Sequence, residues 1–193
     1  MADFYQFLPA LLRNEGGWVD DPIDPGGATN KGVTFGTFKI YAERVLGIEP
    51  SLQNLRRLSN DQAGRIYKAE YWDALRGDDI AHQLLANIVF DFYVNAGGHA
   101  TNILLKVLNH AGANLHGTVR ITPKVIEVMN KMDLADIYME YKHARISYYR
   151  NLAHEHPPLR KFLRGWLNRV NTFPDIPTSS HSAANSNAVC AKK

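Results

Sequence analysis

The chain has 193 residues, of which 45% are hydrophobic and 21% are charged, and its formal net charge is +3. This length allows one domain or a lobed pair with a core of useful size. The mild charge fits an anionic partner such as a bacterial wall, but no basic run or RNP, zinc-finger or P-loop pattern indicates nucleic acid. The single cysteine, Cys190, excludes a disulfide within one chain.

The first predicted element is an amphipathic helix, because apolar residues recur every three or four positions from Phe4 onward. Pro9 predicts a kink or a late start of this helix, and Gly16 predicts its end. Residues 16–36 are predicted to be loop with a short strand or hairpin, since "GVTFGTF" combines β-branched and aromatic residues.

The rest of the chain is predicted to be helical. Ser59 and Gln62 have the spacing of a capping box, and Thr122 with Pro123 has the pattern of a helix N-terminus. Further helices are predicted over about 79–95, 100–110, 133–154 and from there to about 170. From Phe173 onward the low apolar content predicts disorder. The sequence therefore predicts a mainly α protein with a short β-hairpin or glycine-rich loop near the N-terminus.

Residues 14–38 hold six of the 14 glycines together with one glutamate and three aspartates. Glu15 lies at the predicted C-terminal end of the first helix, where the helix dipole disfavours an ionised carboxylate. Burial beside Trp18 would raise its pKa further. A carboxylic acid that stays protonated near neutral pH is the general acid that glycoside hydrolysis requires. Asp24, in a polar loop, should stay ionised, which would complete an acid and base pair.

Each of these acids also has a simpler interpretation. Glu15 could be an exposed, solvated glutamate, and Asp24 could be a turn residue in "DPGG". A third interpretation treats Asp20, Asp21 and Asp24 as a calcium loop, although their spacing does not match an EF-hand. The eight histidines show no zinc spacing, and we predict no metal and no cofactor.

Several side chains outside this loop are candidates for substrate binding. Aromatic side chains could stack on sugar faces or fill the core, and the candidates are Trp18, Trp72, Tyr71 and Tyr93. Asp91 and Asn95 are four residues apart on a strongly apolar helix, so they could line a cleft together or satisfy a neighbouring backbone group. Both interpretations stay open at this point.

The segment "EGGWVDDPIDPGGATNKGVT", residues 15–34, resembles the signature of glycoside hydrolase family 108. These are bacterial and phage N-acetylmuramidases often labelled secretion activator proteins. Every fixed position of E-G-G-x-V-x-x-P-x-D-x-G-G-x-T-x-x-G-[IV]-T is met. "EYWDALRGDDI" and "VFDFYVNAGG" resemble the second and third blocks of the family, and residues 97–172 resemble its predicted peptidoglycan domain.

The resemblance implies a lysozyme-like fold and hydrolysis of the β-1,4 bond that follows N-acetylmuramic acid. It also implies a catalytic region over 1–96, a helical peptidoglycan-binding region over 97–172 packed with it as one body, and a disordered tail over 173–193. The implied partner is the glycan strand of peptidoglycan, with no nucleic acid, no stable membrane insertion and a monomeric state.

The resemblance also assigns roles to individual residues. Glu15 matches the catalytic glutamate. In the related phage lysozymes the glutamate is followed after eight residues by an aspartate and after five more by a threonine. Asp24 keeps this spacing, whereas the last position falls on Asn30, with Thr29 one residue earlier. The paired glycines, Gly26 and Gly27, would shape the floor of the cleft where sugar approaches the backbone.

Two other functions remain open from the sequence. A lytic transglycosylase would use the same site with one acid and no water-activating carboxylate, and a catalytically silent module would only bind the wall or assist secretion. Residues 1–15 lack the basic and apolar regions of a signal peptide. We therefore expect synthesis in the cytoplasm and action in the periplasm or cell wall after holin-type or other assisted export.

Overall fold

A computed structural model describes residues 1–14, 16–20, 27–118 and 120–179. The chain divides into two compact units, Asp3–Gly77 and Asp78–Lys193, the latter joined by Met1–Ala2. Two short strands are β1 (Thr29–Asn30) and β2 (Val33–Thr34). The helices are α1 (Phe4–Asn14), α2 (Phe35–Tyr41), α3 (Leu52–Arg56), α4 (Asn60–Tyr67), α5 (Gln83–Ala96), α6 (Gly98–His110), α7 (Pro123–Met129), α8 (Leu134–Glu155) and α9 (Arg160–Asn171). The prediction of a mainly α protein with a short hairpin is confirmed.

Helix α1 begins at Phe4 and continues through Pro9, so the predicted late start is wrong. Pro9 is exposed, and the carbonyl group that loses its helical partner there can bind water instead. The opposite face is buried: Leu11 is fully buried, and the ring of Phe4 packs edge-on against Trp72 at 5.5 Å between centroids. Each such side chain contributes about 1.5–3 kcal/mol on burial.

The hairpin joins β1 and β2 in antiparallel register, with Asn30 opposite Val33. Its two turn residues, Lys31 and Gly32, both have positive φ angles, +51° and +73°. This is the backbone of a type I′ turn, whose twist matches that of the strands beside it. Thr34 ends the hairpin and caps the N-terminus of α2 through its hydroxyl group. The hairpin therefore leads directly into a helix.

The capping box predicted for α4 is present. Ser59 Oγ accepts a hydrogen bond from the Gln62 N–H at 3.1 Å, and the Ser59 N–H donates to Gln62 Oε1 at 3.0 Å. A single π-helical turn, Lys68–Trp72, follows the helix. Gly77 lies against the ring of Trp72, where an added Cβ would stand 2.3 Å from Cε2. Any side chain at Gly77 would therefore push into a fully buried indole.

The second unit is built on α8, which packs against α5, α6 and α9. Helix α5 begins at Gln83 rather than at 79, because residues 77–79 form a 3-10 turn and His82 caps the helix by accepting the Leu85 N–H at 3.2 Å. Gly97, with a φ of +53°, separates α5 from α6. The predicted cap of α7 by Thr122 is confirmed. Among the described residues, no helix has both the length and the apolar character to cross a membrane.

The segment that begins at Phe173 is predicted from the sequence to be disordered, but its first residues are packed in the structure. In the predicted tail, 173–193, Phe173 is buried, and its carbonyl accepts a hydrogen bond from Lys142 Nζ at 2.7 Å. The same ammonium group pairs with Asp175 at 2.6 Å. The start of the segment therefore packs on α8, which differs from the expectation, because one buried aromatic ring and one shared cation outweigh its polar composition. Residues 180–193 lie outside the described residues.

Candidate active site

The two carboxylates predicted to perform catalysis, Glu15 and Asp24, lie outside the described residues, as does Gly26. Their separation, which would distinguish an inverting from a retaining mechanism, therefore stays open. The backbone on both sides of Glu15, at Asn14 and Gly16, is described, as are the residues that follow Gly26.

A cavity of about 280 Å³ lies within the first compact unit. It is lined by the end of α1, by the backbone just after position 15, by the hairpin turn and by the start of α4. The lining residues are Leu12, Arg13, Gly16, Gly17, Lys31 and Asn60. Residues on both sides of Glu15 in the sequence thus line one cavity, and two of them are glycines with open space where a Cβ would be.

A pair of backbone hydrogen bonds holds the glycine-rich loop against the hairpin. The N–H of Val19 donates to the carbonyl of Thr29, and the N–H of Thr29 donates to the carbonyl of Val19, both at 2.8 Å. Gly27, with a φ of +66°, returns the chain to the hairpin, and glycine adopts that left-handed backbone at little cost. These contacts bring the predicted site residue Thr29 next to Val19, the residue that follows Trp18 in the chain.

The two candidates for the third catalytic position have different surroundings. Asn30 is buried, and its Nδ2 donates to the carbonyls of Leu55 and Arg56 at 2.9 and 3.0 Å. Both amide hydrogens are therefore used to tie the hairpin to α3. Thr29 is half-buried, and its hydroxyl donates to the Gly27 carbonyl at 3.3 Å. Since neighbouring strand residues point to opposite faces, the geometry favours Thr29 over Asn30, and both roles stay predictions.

Trp18 is a predicted sugar-stacking residue that keeps part of its surface accessible. Its side chain is half-buried, and the guanidinium carbon of Arg56 lies 5.6 Å from the ring centroid. A cation over an indole contributes about 0.5–1 kcal/mol at an exposed site. Arg56 therefore helps to hold the ring in place, and its carbonyl is also one of the two acceptors of Asn30.

Two predicted substrate-binding residues are core residues instead. Trp72 is fully buried, so no face of its ring can stack on a sugar. Asp91 is only 1% exposed and forms ion pairs with Arg145 at 2.6 Å and Arg169 at 2.8 Å. The structure corrects both predictions, because the polar or aromatic character that suggested substrate contact serves internal packing.

Two further candidates belong to the second unit. Tyr93 is half-buried and Asn95 is exposed on α5. Asn95 Nδ2 donates to the carbonyl of Asp91, one helical turn earlier, at 2.6 Å. This local contact accounts for part of the hydrogen-bonding capacity of Asn95 and leaves its substrate-binding role a prediction.

Glu70 is a carboxylate with a perturbed pKa that was not predicted from the sequence. Burial raises the pKa of Glu70, while a hydrogen bond from Tyr41 and the charge of Arg44 act in the opposite direction. Its Oε2 is buried and has no hydrogen-bond partner among the described residues. A raised pKa marks a candidate acid, but Glu70 does not line the 280 Å³ cavity.

A larger cavity, of about 640 Å³, lies in the second unit between α8 and residues 175–178. Its carboxylates already have partners. Asp175 pairs with Lys142, Glu140 pairs with His110 at 2.6 Å, and Asp136 accepts from the Ser179 N–H at 3.1 Å. Size alone therefore does not make it the better site, since its charges are compensated within the protein.

Comparison with known protein families finds a match to the part of the chain that contains the smaller cavity. Residues 8–97 match the family Glycosyl hydrolase 108. This segment is a glycosyl hydrolase 108 domain. The match includes the glycine-rich loop, the hairpin and the helices up to α5, which supports a glycoside hydrolase of the N-acetylmuramidase type. The resemblance drawn from the sequence is thereby confirmed for the family.

The chain is also similar to a solved structure of SagA from Brucella abortus, with 29% sequence identity and a TM-score of 0.67. The aligned parts cover 88% of this chain and 90% of that one. The glycosyl hydrolase 108 domain and this similarity support a mainly helical, lysozyme-like fold. No curated protein matches the sequence. The family match ends at residue 97, so the peptidoglycan-binding role of residues 97–172 stays a prediction.

Sequence reasoning did not single out three residues that line the cavity, namely Arg13, Lys31 and Asn60. Lys31 had a usable signal, because a Lys–Gly pair between two short β-type segments has the two-residue spacing of a hairpin turn. Arg13 and Asn60 had none, since they meet the cavity only through the packing of α1 and α4. Within the described part of the chain, no group of three or more His, Cys, Asp or Glu side chains could hold a metal ion.

Proposed function

We propose that this muramidase cleaves the β-1,4 bond between N-acetylmuramic acid and N-acetylglucosamine, with Glu15 as the general acid. The observation that carries the proposal is the position of Glu15 in the family signature. Its sequence neighbours Arg13, Gly16 and Gly17 all line one cavity. The general acid donates its proton to the glycosidic oxygen as the bond to the leaving sugar breaks.

The charge balance near position 15 sets how readily that proton is held. Helix α1 ends at Asn14, so Glu15 follows the negative end of the helix dipole, which raises the pKa of a carboxyl group. Arg13 and Lys31 line the neighbouring cavity and act in the opposite direction. We propose that Asp24, in the polar part of the loop, stays ionised and serves as base or nucleophile.

Substrate contacts in this proposal come from the residues that remain accessible. Trp18 stacks on a sugar face, Gly27 allows the glycan to approach the backbone, and Thr29 supplies the hydroxyl group of the third catalytic position. Tyr93 and Asn95 are proposed to bind further sugar units. We also propose that the protein acts as a monomer on the glycan strand, that residues 97–172 bind peptidoglycan, and that export to the wall is assisted.

The test compares Glu15→Gln with Glu49→Gln on purified peptidoglycan, with released reducing ends as the readout. Glu49 is an exposed acid in the same unit, so its substitution controls for the loss of one charge. General acid catalysis is worth about 10²–10⁴-fold, and Glu15→Gln should lose at least that much activity. Its thermal stability should not fall, because an amide is not disfavoured at a helix C-terminus.

The products separate the proposal from its alternatives. Hydrolysis gives reducing muramic acid ends, whereas a lytic transglycosylase gives anhydro ends that are lighter by one water. A wall-binding module would sediment with peptidoglycan and release nothing. Activity should also decline as the pH rises and Glu15 ionises. A Glu15→Gln protein that clears the wall as fast as the parent would contradict the assignment of the acid.

A further inference from the structure

We propose that the 280 Å³ cavity beside position 15 binds a carboxylate carried on the lactyl substituent of muramic acid, through the side chains of Arg13 and Lys31. This inference rests on the proposed function, because it names the part of the substrate that the same site recognises. It makes the enzyme selective for charged muramyl glycans over neutral glycans built on N-acetylglucosamine alone.

The described part of the cavity wall is cationic. Among the described residues that line it, Arg13 and Lys31 are cations, and Leu12, Gly16, Gly17 and Asn60 are neutral. Neither cation forms an ion pair with any described residue. By contrast, the carboxylates of the larger cavity are engaged with protein groups. Two like charges facing one space favour an anion between them.

The backbone positions from which both cationic side chains extend are fixed before any ligand arrives. Arg13 is in the last turn of α1. Lys31 is the first residue of the type I′ turn, and its carbonyl accepts a hydrogen bond from the Tyr67 hydroxyl at 3.2 Å. The turn is thus tied to α4, and Asn60 at the start of that helix also lines the cavity. Such preorganisation reduces the entropy lost on binding.

The volume of the cavity is sufficient for the substituent. At about 280 Å³ it holds on the order of nine water molecules at about 30 Å³ each, which is enough for a lactyl group and the atoms attached to it. Muramic acid differs from N-acetylglucosamine by this substituent, and the substituent is the only source of negative charge on the glycan.

The carboxylate can have two sources. A stem-free muramic acid carries a free lactyl carboxylate, whereas an attached peptide stem carries its own carboxylates. Kinetics on amidase-stripped strands and on stem-bearing strands distinguish the two. Each substrate is also tested after carbodiimide amidation, which removes the negative charge and keeps the glycan.

The variants are Arg13→Gln, Lys31→Asn and the double substitution, with Arg57→Gln as the control for an exposed cation outside the cavity. Asparagine is chosen at position 31 because it tolerates a φ of +51° and is preferred in type I′ turns. Melting temperatures verify that each variant is folded.

The expected result is a rise in KM of about tenfold or more for the double variant on whichever charged strand supplies the carboxylate, since hydrogen bonds to charged groups are worth that much. On amidated strands the KM of the parent protein should rise to that of the double variant. An equal loss on charged and amidated strands would overturn the inference, because the cations would then act through Glu15 or the fold. No change on either strand would overturn it as well.

Failure of the proposed function gives a different pattern. If the parent releases no reducing ends from any strand, the proposed bond cleavage is wrong, and the cavity is then tested by binding alone. Glu15→Gln protein, with and without the double substitution, is sedimented with charged and amidated strands. Weaker binding of the triple variant to charged strands alone would support the carboxylate site, and equal binding would overturn it.

Discussion

The two compact units bury polar side chains in different ways. In residues 3–77, Asn30 ties the hairpin to α3 with a neutral amide that donates both of its hydrogens to carbonyl groups. In residues 78–193, Asp91 pairs with the guanidinium groups of Arg145 and Arg169. The first arrangement joins uncharged partners, and the second places three charges in or at the edge of the core.

The ionic cluster carries more positive than negative charge. Arg145 is fully buried, and its Nε and Nη1 have no hydrogen-bond partner within the described residues. Aromatic rings surround its guanidinium carbon instead, at 4.8 Å from the centroid of Phe92, 5.7 Å from Tyr149 and 5.8 Å from Phe173. The electron-rich faces of these rings offset part of the missing hydrogen bonding.

A polar residue in an apolar segment therefore does not by itself indicate a binding cleft. Asn30 and Asp91 were both predicted site residues, and both are buried. Burial of an amide costs little free energy when its hydrogen bonds are formed within the protein. A buried ion pair depends on both of its members, because removing one leaves an uncompensated charge. We therefore expect a larger loss of unfolding free energy when the ion pairs of Asp91 are broken than when the hydrogen bonds of Asn30 are broken.

The largest effect is expected for Asp91→Asn. Without the carboxylate, the fully buried guanidinium group of Arg145 keeps its charge and loses its counterion, which costs about 3–5 kcal/mol of unfolding free energy. Urea denaturation measures the loss. The control is Asp73→Asn, which removes an exposed pair with Lys68 worth roughly 0–1 kcal/mol. Similar losses for the two variants would show that the buried ion pairs of Asp91 contribute no more to stability than an exposed pair.

An intermediate effect is expected for Asn30→Ala. The carbonyls of Leu55 and Arg56 lose their donor, and an unsatisfied buried acceptor costs about 1–3 kcal/mol. Asn54→Ala is the matched control, because it removes an exposed hydrogen bond from the side-chain amide of Asn54 to the Glu49 carbonyl. Its loss of unfolding free energy should be smaller.

The same variant tests the catalytic prediction for Asn30. If Asn30 only anchors the hairpin, peptidoglycan hydrolysis per folded molecule should fall far less than for Glu15→Gln. A 10²-fold loss at a temperature where the variant is fully folded would instead return Asn30 to the catalytic group.

The smallest effect concerns His82, a titratable group that the second unit keeps neutral. Burial lowers its pKa below 6.5, although the charge of Asp133 opposes the shift. The ring must also be unprotonated at Nδ1 to accept the Leu85 N–H. The unfolded chain therefore binds the proton more tightly, and the contribution of His82 to stability is lost as the pH falls below about 6.5.

A variant isolates this contribution from those of other groups. His82→Asn keeps a good helix cap that does not titrate, so its stability should fall less than that of the parent between pH 7.5 and pH 5.5. The difference should be about 1 kcal/mol at most, the usual worth of an N-cap. Parallel pH profiles for the two proteins would show that the cap does not depend on a neutral ring.

Much of the fold was determined by the sequence through contacts between near neighbours. The capping box of Ser59 and Gln62, the cap at Thr122 and the break at Gly97 depend on residues a few positions apart, and all three are present. The family signature likewise lies in one continuous segment around Glu15. Such features could be predicted because their physical causes, hydrogen bonds to adjacent backbone and allowed φ angles, are local.

The accessibility of the side chains depends on contacts that form only in the folded protein. Burial of Trp72 and Asp91 depends on residues far away in sequence, such as Phe4 for the first and Arg145 and Arg169 for the second. Arg13 and Lys31 line one cavity for the same reason, since α1 and the hairpin turn meet only when the chain is folded. Desolvation and ion pairing act through space, so a sequence pattern identifies the residue types but not the partners that fix their roles.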